Sequence, residues 1–262
     1  MAKVLFTKDN IKYVQLNKAR LHEAIDVGTR SFFVDETVCK ALDLKNNTIA
    51  TNELEELFLK AAKDGVSVIA IDTTTDSVVA VSFNKLQVTY ILIEIIAIKT
   101  EYGLQAKDSP DIEYYQEYSD RCKDNASKAF LSFMIGTDLV VDMFEYCKSD
   151  CYLEIMFLGV LSSYRGRSIA YNLCKASENV ARVLYSGINI KESITEVPLD
   201  LQPFPKFVSA IFTSLVSQKI GRKLEMEVAA SVELNQWTYN GKTFADRLGN
   251  NPAPIQYCCK ML

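Results

Sequence analysis

Residues 151–184 constrain the fold more than any other part of the chain. From Cys151 to Val160 runs a short apolar, β-rich segment in which Tyr152, Leu153, Ile155, Met156, Phe157, Leu158 and Val160 supply the apolar side chains, and it ends in a turn signal. Beyond the turn, Ile169, Leu173, Ala176 and Val180 recur at spacings of four, three and four, the stripe of a helix predicted from about Gly166 to Leu184. The connection between them, Leu161 to Ser168, is short and basic. Strand, tight turn and helix follow directly, with Arg165 to Ser168 as the predicted first helical turn. Unpaired N–H groups and the positive end of the macrodipole at such a start favour an anion, and Arg165 and Arg167 add charge. A solvated corner is the alternative reading. The segment lacks the Gly-rich, Lys-Ser/Thr-terminated spacing of a P-loop and the three glycines of a dinucleotide fingerprint, so neither nucleotide class fits.

This stretch resembles the acyl-CoA-binding signature of the GNAT superfamily of N-acetyltransferases, Gln/Arg-x-x-Gly-x-Gly/Ala. Arg165 and Ala170 match its ends, and Ser168 stands where the family has glycine. A serine at a helix start is also a capping residue. A second segment, Phe32-Phe33-Val34-Asp35-Glu36-Thr37-Val38, is similar to the Phe-Phe-x-Asp-Glu-Pro-Leu segment of insect arylalkylamine N-acetyltransferases, with Thr37 and Val38 replacing Pro and Leu. The resemblance implies that Glu36 is the general base, acting on the substrate ammonium directly or through water. Acid–base chemistry gives independent grounds for a glutamate. An amine must lose a proton before attacking a thioester, and a carboxylate flanked by Phe32 and Phe33 is expected to be partly desolvated, which raises its pKa. The alternative reading makes Asp35 and Glu36 helix-dipole and capping residues of a first turn.

The C-terminal third continues the pattern, with strands predicted at 207–212, 226–234 and 255–262 and a helix at 213–224. Where family members have Tyr-x-x-x-Gly-Phe, this chain reads Ser217-Gln218-Lys219-Ile220-Gly221-Arg222, so no tyrosine acid stands there. By resemblance to insect members, Ser217 and Ser214, three residues apart on one helix face, are candidates for substrate or thiol contact. Serines on such a helix are otherwise surface or back-bonding residues, and Ser209 on the preceding strand competes for the role.

The resemblance implies an α/β GNAT fold: a mixed central β-sheet of about seven strands flanked by helices and splayed at strands 4 and 5. It implies acetyl-CoA as co-substrate. Leu158, Gly159 and Val160 would pair with the thioester's amides, while Arg165, Gly166, Arg167, Ser168, Ile169 and Ala170 would hold the pyrophosphate. Attack would be direct, in a ternary complex. The implied substrates are small primary amines such as dopamine, tyramine, octopamine or serotonin. Agmatine or polyamines form the alternative class, and a catalytically weak CoA-binding module is a further alternative.

Length and charge are consistent with this. The 262 residues, 48% hydrophobic, suffice for one sizeable core, so a single domain over 1–262 is expected. A net charge of −4 argues against a nucleic-acid surface. Seven cysteines at irregular spacing, with no leader pattern, read as reduced thiols of a cytoplasmic protein, expected to be a monomer. The sole histidine, His22, reads as an ordinary residue of the first helix, which leaves no metal set and no Ser-His-Asp or Cys-His triad. The apolar run Val88 to Ile98 is too short to span a bilayer as a helix, so no membrane partner is expected. It is expected to extend the third strand or to open a substrate-side insertion. In residues 107–124, Glu113, Tyr114, Tyr115 and Glu117 are candidate lid residues over the amine site.

Overall fold

The computed structural model describes residues 3–89, 110–249 and 252–262. In chain order the elements are β1 (Val4–Lys8), β2 (Ile11–Gln15), a 3₁₀ turn (Lys18–Arg20), α1 (Leu21–Asp35), α2 (Thr37–Ala41), α3 (Thr48–Ala62), β3 (Val68–Asp72) and β4 (Ser77–Val88). There follow α4 (Pro110–Arg121), α5 (Asn125–Asp138), α6 (Met143–Cys147), β5 (Cys151–Val160), α7 (Ile169–Tyr185), β6 (Phe207–Phe212) and α8 (Leu215–Lys223). The chain closes with β7 (Glu227–Val232), the two-residue strands β8 (Thr238–Tyr239) and β9 (Lys242–Thr243), α9 (Phe244–Leu248) and β10 (Ile255–Met261).

The main sheet has eight strands in the order β1-β2-β3-β4-β5-β6-β10-β7. Every neighbouring pair is antiparallel except β5 and β6, which run parallel. The strand beyond the expected seven is β1, short and half-exposed, joined to β2 through Asp9 and Asn10 at φ 50° and 61°. Positive φ at both loop residues matches the twist of a tight hairpin, and Asp and Asn tolerate it better than other side chains. β4 continues to Val88; residues 90–98 of that apolar run, and residues 107–109, lie outside the described residues.

Two cores cover the two faces of the sheet. On one, α1 and α3 bury an aromatic stack in which Phe58 lies between Phe33 and Phe83, with centroids 4.8 and 4.7 Å away. On the other, α7 presents Ile169, Leu173, Ala176 and Val180, the stripe read from the sequence, all at most 2% exposed. A buried polar knot locks α7 in place. The Asn84 amide donates to Val66 O at 2.9 Å and Ser177 Oγ at 2.8 Å, and accepts from Ser82 Oγ at 2.7 Å. Satisfied groups of this kind fix one arrangement, because any slip strands them without partners.

The expected lid residues lie elsewhere. The α4 helix packs on α3, where Tyr114 donates its hydroxyl to Glu56 Oε1 at 2.9 Å and Tyr115 is buried, while Glu113 and Glu117 face outward. His22 lies in α1, and all seven cysteines are free thiols. Among the described residues no helix is long and apolar enough to cross a membrane.

Candidate active site

The parallel pair β5 and β6 opens the site. Their register runs only from Tyr152↔Phe207 to Ile155↔Ala210, after which the strands diverge. Beyond Ile155, β5 pairs with no strand but β4, and on the stretch Met156 to Val160 the Val160 carbonyl accepts the Arg165 guanidinium at 3.3 Å while no strand covers the edge toward β6. A cavity of about 670 Å³ fills this gap, with Leu158, Gly159 and Val160 in its wall. Unpaired strand groups at such an edge offer donors and acceptors to an extended amide chain.

The turn after β5 differs from the prediction in its first residues. A 3₁₀ turn at Ser162–Tyr164 precedes Arg165, and the helix starts at Ile169 rather than near Gly166. Gly166 and Ser168 have φ 76° and 59°, a left-handed conformation that stops the helix from beginning earlier. Ser168 makes no side-chain capping bond, contrary to its expected role. The first bonded amide of α7 is Asn172 N–H, to Ser168 O at 3.0 Å, so the Ile169, Ala170 and Tyr171 amides are the orphan donors of the first turn. Gly166, Ser168, Ile169 and Ala170 line the cavity. Arg167 does not. Its guanidinium turns away to donate to Asp9 O at 3.1 Å and lies over the Tyr164 ring.

Arg165 lines the cavity and is ion-paired with Asp35, the last residue of α1. The pair holds the Asp35 carboxyl below its ordinary value, the Arg165 hydrogen bond outweighing burial. Tyr164, next to it, donates to Asp72 Oδ2 at 2.9 Å and is pushed up by that carboxylate.

Glu36 sits in the break between α1 and α2, extended at φ −66° and ψ 148°. The capping reading holds for Glu36, and the same side chain reaches the cavity. Its Oε2 caps α2 by accepting Cys39 N–H at 2.8 Å, and its Oε1 accepts the Thr213 hydroxyl at 2.5 Å. Thr213 follows β6, so the carboxylate is pinned across the mouth of the splay between α1 and the diverging strand. Phe32 lines the cavity beside it, whereas Phe33 is turned into the core. Nothing in the sequence pattern singled out Thr213, because its partner is 177 residues away.

Ser214 and Ser217 also line the cavity. They form a reciprocal capping box at the start of α8, Ser214 Oγ accepting Ser217 N–H at 3.1 Å and Ser217 Oγ accepting Ser214 N–H at 3.2 Å. Ser209 is buried on β6, away from the cavity wall. Gly221 is required by close approach, since a Cβ there would lie 2.5 Å from Phe212 Cε2. A smaller recess of about 80 Å³ adjoins the cavity at Phe32, Glu36 and Thr213 and is walled by Phe130, Phe133, Met134 and Phe157, with Asp138 and Glu154 also in its lining. Glu36 therefore stands where a cavity with a cationic and amide-rich wall meets an aromatic recess with acidic residues.

The fold as a whole has parallels among solved structures. No family model matches the chain, and no curated protein matches it. Among solved structures, it is similar to arylalkylamine N-acetyltransferase 2 from Aedes aegypti, with a TM-score of 0.70 at 19% identity over 97% of this chain and 99% of the other. A variant agmatine N-acetyltransferase gives a TM-score of 0.70 at 13% identity over 97% and 100%. A polyamine N-acetyltransferase from Drosophila melanogaster gives 0.66 at 12% over 96% and 100%. The chain has the GNAT fold. The splay predicted at strands 4 and 5 falls at β5 and β6 here, because β1 shifts the count by one.

Proposed function

We propose that this GNAT-fold protein transfers an acetyl group from acetyl-CoA to small primary amines, in one domain and by direct attack within a ternary complex. The observation that carries this is the Glu36 carboxylate, fixed by Thr213 and Cys39 N–H at the junction of the two cavities. The larger cavity fits a CoA thioester in chemistry: unpaired strand edge for the pantetheine amides, and orphan amides of Ile169, Ala170 and Tyr171 with the Arg165 guanidinium for the pyrophosphate.

Glu36 takes a proton from the substrate ammonium, directly or through one water, and the freed nitrogen lone pair forms the C–N bond at the thioester carbonyl. The C–S bond then breaks, and the departing thiolate receives a proton from water or from the Ser214 and Ser217 hydroxyls. Positioning supplies most of the rate. Cys39, which contacts Glu36, is 0% exposed, and burial pushes its thiol well above its ordinary range, so it does not serve as an acyl-accepting nucleophile.

For the acceptor, the phenylalanine walls of the recess suit an arylalkylamine. Asp138 and Glu154 in the same lining support a second reading, in which the acceptor carries another cation, as agmatine and polyamines do. Seven free thiols support a reducing compartment such as the cytoplasm.

The test is thiol release from acetyl-CoA with dopamine, tyramine, serotonin, agmatine, putrescine and spermidine, for the wild type and Glu36→Gln. A general base is worth about 10²- to 10⁴-fold, so kcat/KM for the best amine should fall by at least about 100-fold in the variant while acetyl-CoA still binds. Equal turnover in both proteins would remove Glu36 as the base. No turnover with any amine, with acetyl-CoA bound, would leave a CoA-binding module.

A further inference from the structure

The cavity wall carries two lysines that the reaction does not use. Lys219 and Lys223 stand one turn apart on α8, and both line the same cavity as Arg165 and Ser168. Like charges at this spacing repel and weaken a helix slightly, a cost that an anion bound between them would relieve. Neither lysine has a hydrogen bond or ion pair among the described residues. Elsewhere Lys206 is paired to Asp150 at 2.7 Å and Lys260 to Glu178 at 3.2 Å.

Two neighbours give the pair a direction. The Lys223 ammonium lies 4.6 Å over the Tyr171 ring, and Tyr171 follows directly on Ala170 at the end of the phosphate-binding turn. Val216, one turn before Ile220 on the same wall, is 73% exposed, and Leu215 beside it is 60% exposed. The exposed side of α8 thus passes from apolar to cationic along the cavity, ending next to an aromatic face just outside the turn.

Resting on the reading that this cavity takes a CoA thioester, we propose that Lys219 and Lys223 form a second phosphate subsite, for the ribose 3′-phosphate, and so make the protein discriminate against thioesters that lack it. A phosphate monoester is close to a dianion at neutral pH and matches two ammonium groups, whereas the pyrophosphate is provided for by the turn amides and Arg165. The Tyr171 ring, under the Lys223 ammonium at 4.6 Å, holds that lysine beside the turn.

The experiment is calorimetric titration of CoA and of 3′-dephospho-CoA into the wild type, Lys219→Gln/Lys223→Gln, and the exposed control Lys128→Gln on α5. Charge-assisted hydrogen bonds suggest a preference of about tenfold or more for CoA in the wild type. The double variant should bind both ligands with the wild type's affinity for dephospho-CoA, at unchanged thermal stability, and the control should retain the preference. Equal weakening of both ligands would overturn the proposal by placing the lysines on the pyrophosphate. An unchanged preference in the double variant would overturn it as well. If the wild type binds neither ligand, the CoA reading itself fails, an outcome distinct from the other two.

Discussion

Gly159 couples the cofactor strand to the helix that leads to Glu36, and replacing it by alanine tests that coupling. An ideal Cβ at Gly159 would lie 2.2 Å from Ser31 Oγ, 3.3 Å from Ser31 Cβ and 3.4 Å from Phe32 N. Ordinary contact is about 3.5–4.0 Å between carbons, so the Ser31 hydroxyl must move by roughly 1 Å or the helix must retreat. Ser31 Oγ donates to Val27 O and is buried, so rotating it away leaves a polar group unpartnered at about 1–3 kcal/mol. Lifting α1 off β5 instead is overpacking, of similar cost at about 1–3 kcal/mol. A chain of this size loses about 2–4 °C in Tm per kcal/mol, so Gly159→Ala should lower Tm by several degrees. The cause is checked by a cycle with Ser31→Ala, which removes the clashing atom. There, the second methyl meets only the 3.3 Å contact, and the smaller chain entropy of unfolded alanine offsets part of the strain. The loss should then shrink below about 1 kcal/mol, a coupling of about 1–2 kcal/mol by urea denaturation. Because α1 ends at Asp35, kcat/KM should fall in Gly159→Ala and recover in the double variant. Strictly additive stabilities, or no loss in the single variant, would refute the reasoning.

Other outcomes follow from the same geometry. Ser168→Gly should raise Tm slightly without weakening acetyl-CoA binding, because a left-handed serine at φ 59° costs about 1–2 kcal/mol that glycine avoids, less glycine's own entropy; a lower Tm would mean that the serine side chain contributes something besides strain. Ser214→Ala removes half of the capping box and should cost about 0.5–2 kcal/mol in denaturant titration, with kcat within about tenfold because water can protonate the thiolate; a large kcat loss at unchanged stability would make the hydroxyl a proton donor instead. Asp35 is held below its ordinary 3.8 by Arg165, so its pair contributes stability above that value and loses it as pH falls through the lower folded value. Urea midpoints of the wild type and Asp35→Asn should therefore differ near neutral pH and converge on acidification below 3.8; a constant gap would count against the linkage.

Local pattern was enough for most of the main sheet and the helix after β5, though not for β1. The apolar stripe of α7, the β-rich run of β5 and the C-terminal alternation of strands and helix were legible because burial repeats with the period of the element. The motif segments around Glu36 and Arg165 were legible too, since a charged residue beside phenylalanines and a basic turn after a strand are features of neighbouring residues. Where the sequence misled, the controlling interaction was one that pattern does not encode. Left-handed φ at Gly166 and Ser168 moved the start of α7, and Arg167 swung to a carbonyl on the β1–β2 hairpin, 158 residues away in the chain. The tyrosines of α4 packed on α3, and Glu113 and Glu117 turned outward, rather than over the site.

What the sequence determined by itself is therefore the order of most strands and helices of the main sheet and the chemical character of two segments, because those depend on side-chain size, polarity and spacing along a few turns. What only the tertiary structure decided is the site. The divergence of β5 from β6 after Ile155, the pinning of Glu36 by Thr213, the Asp35–Arg165 pair and the lysines of α8 on the cavity wall all join residues far apart in the chain. Such contacts are fixed by how packed faces meet, and a polar side chain takes its role from the partner that this packing brings within hydrogen-bond reach.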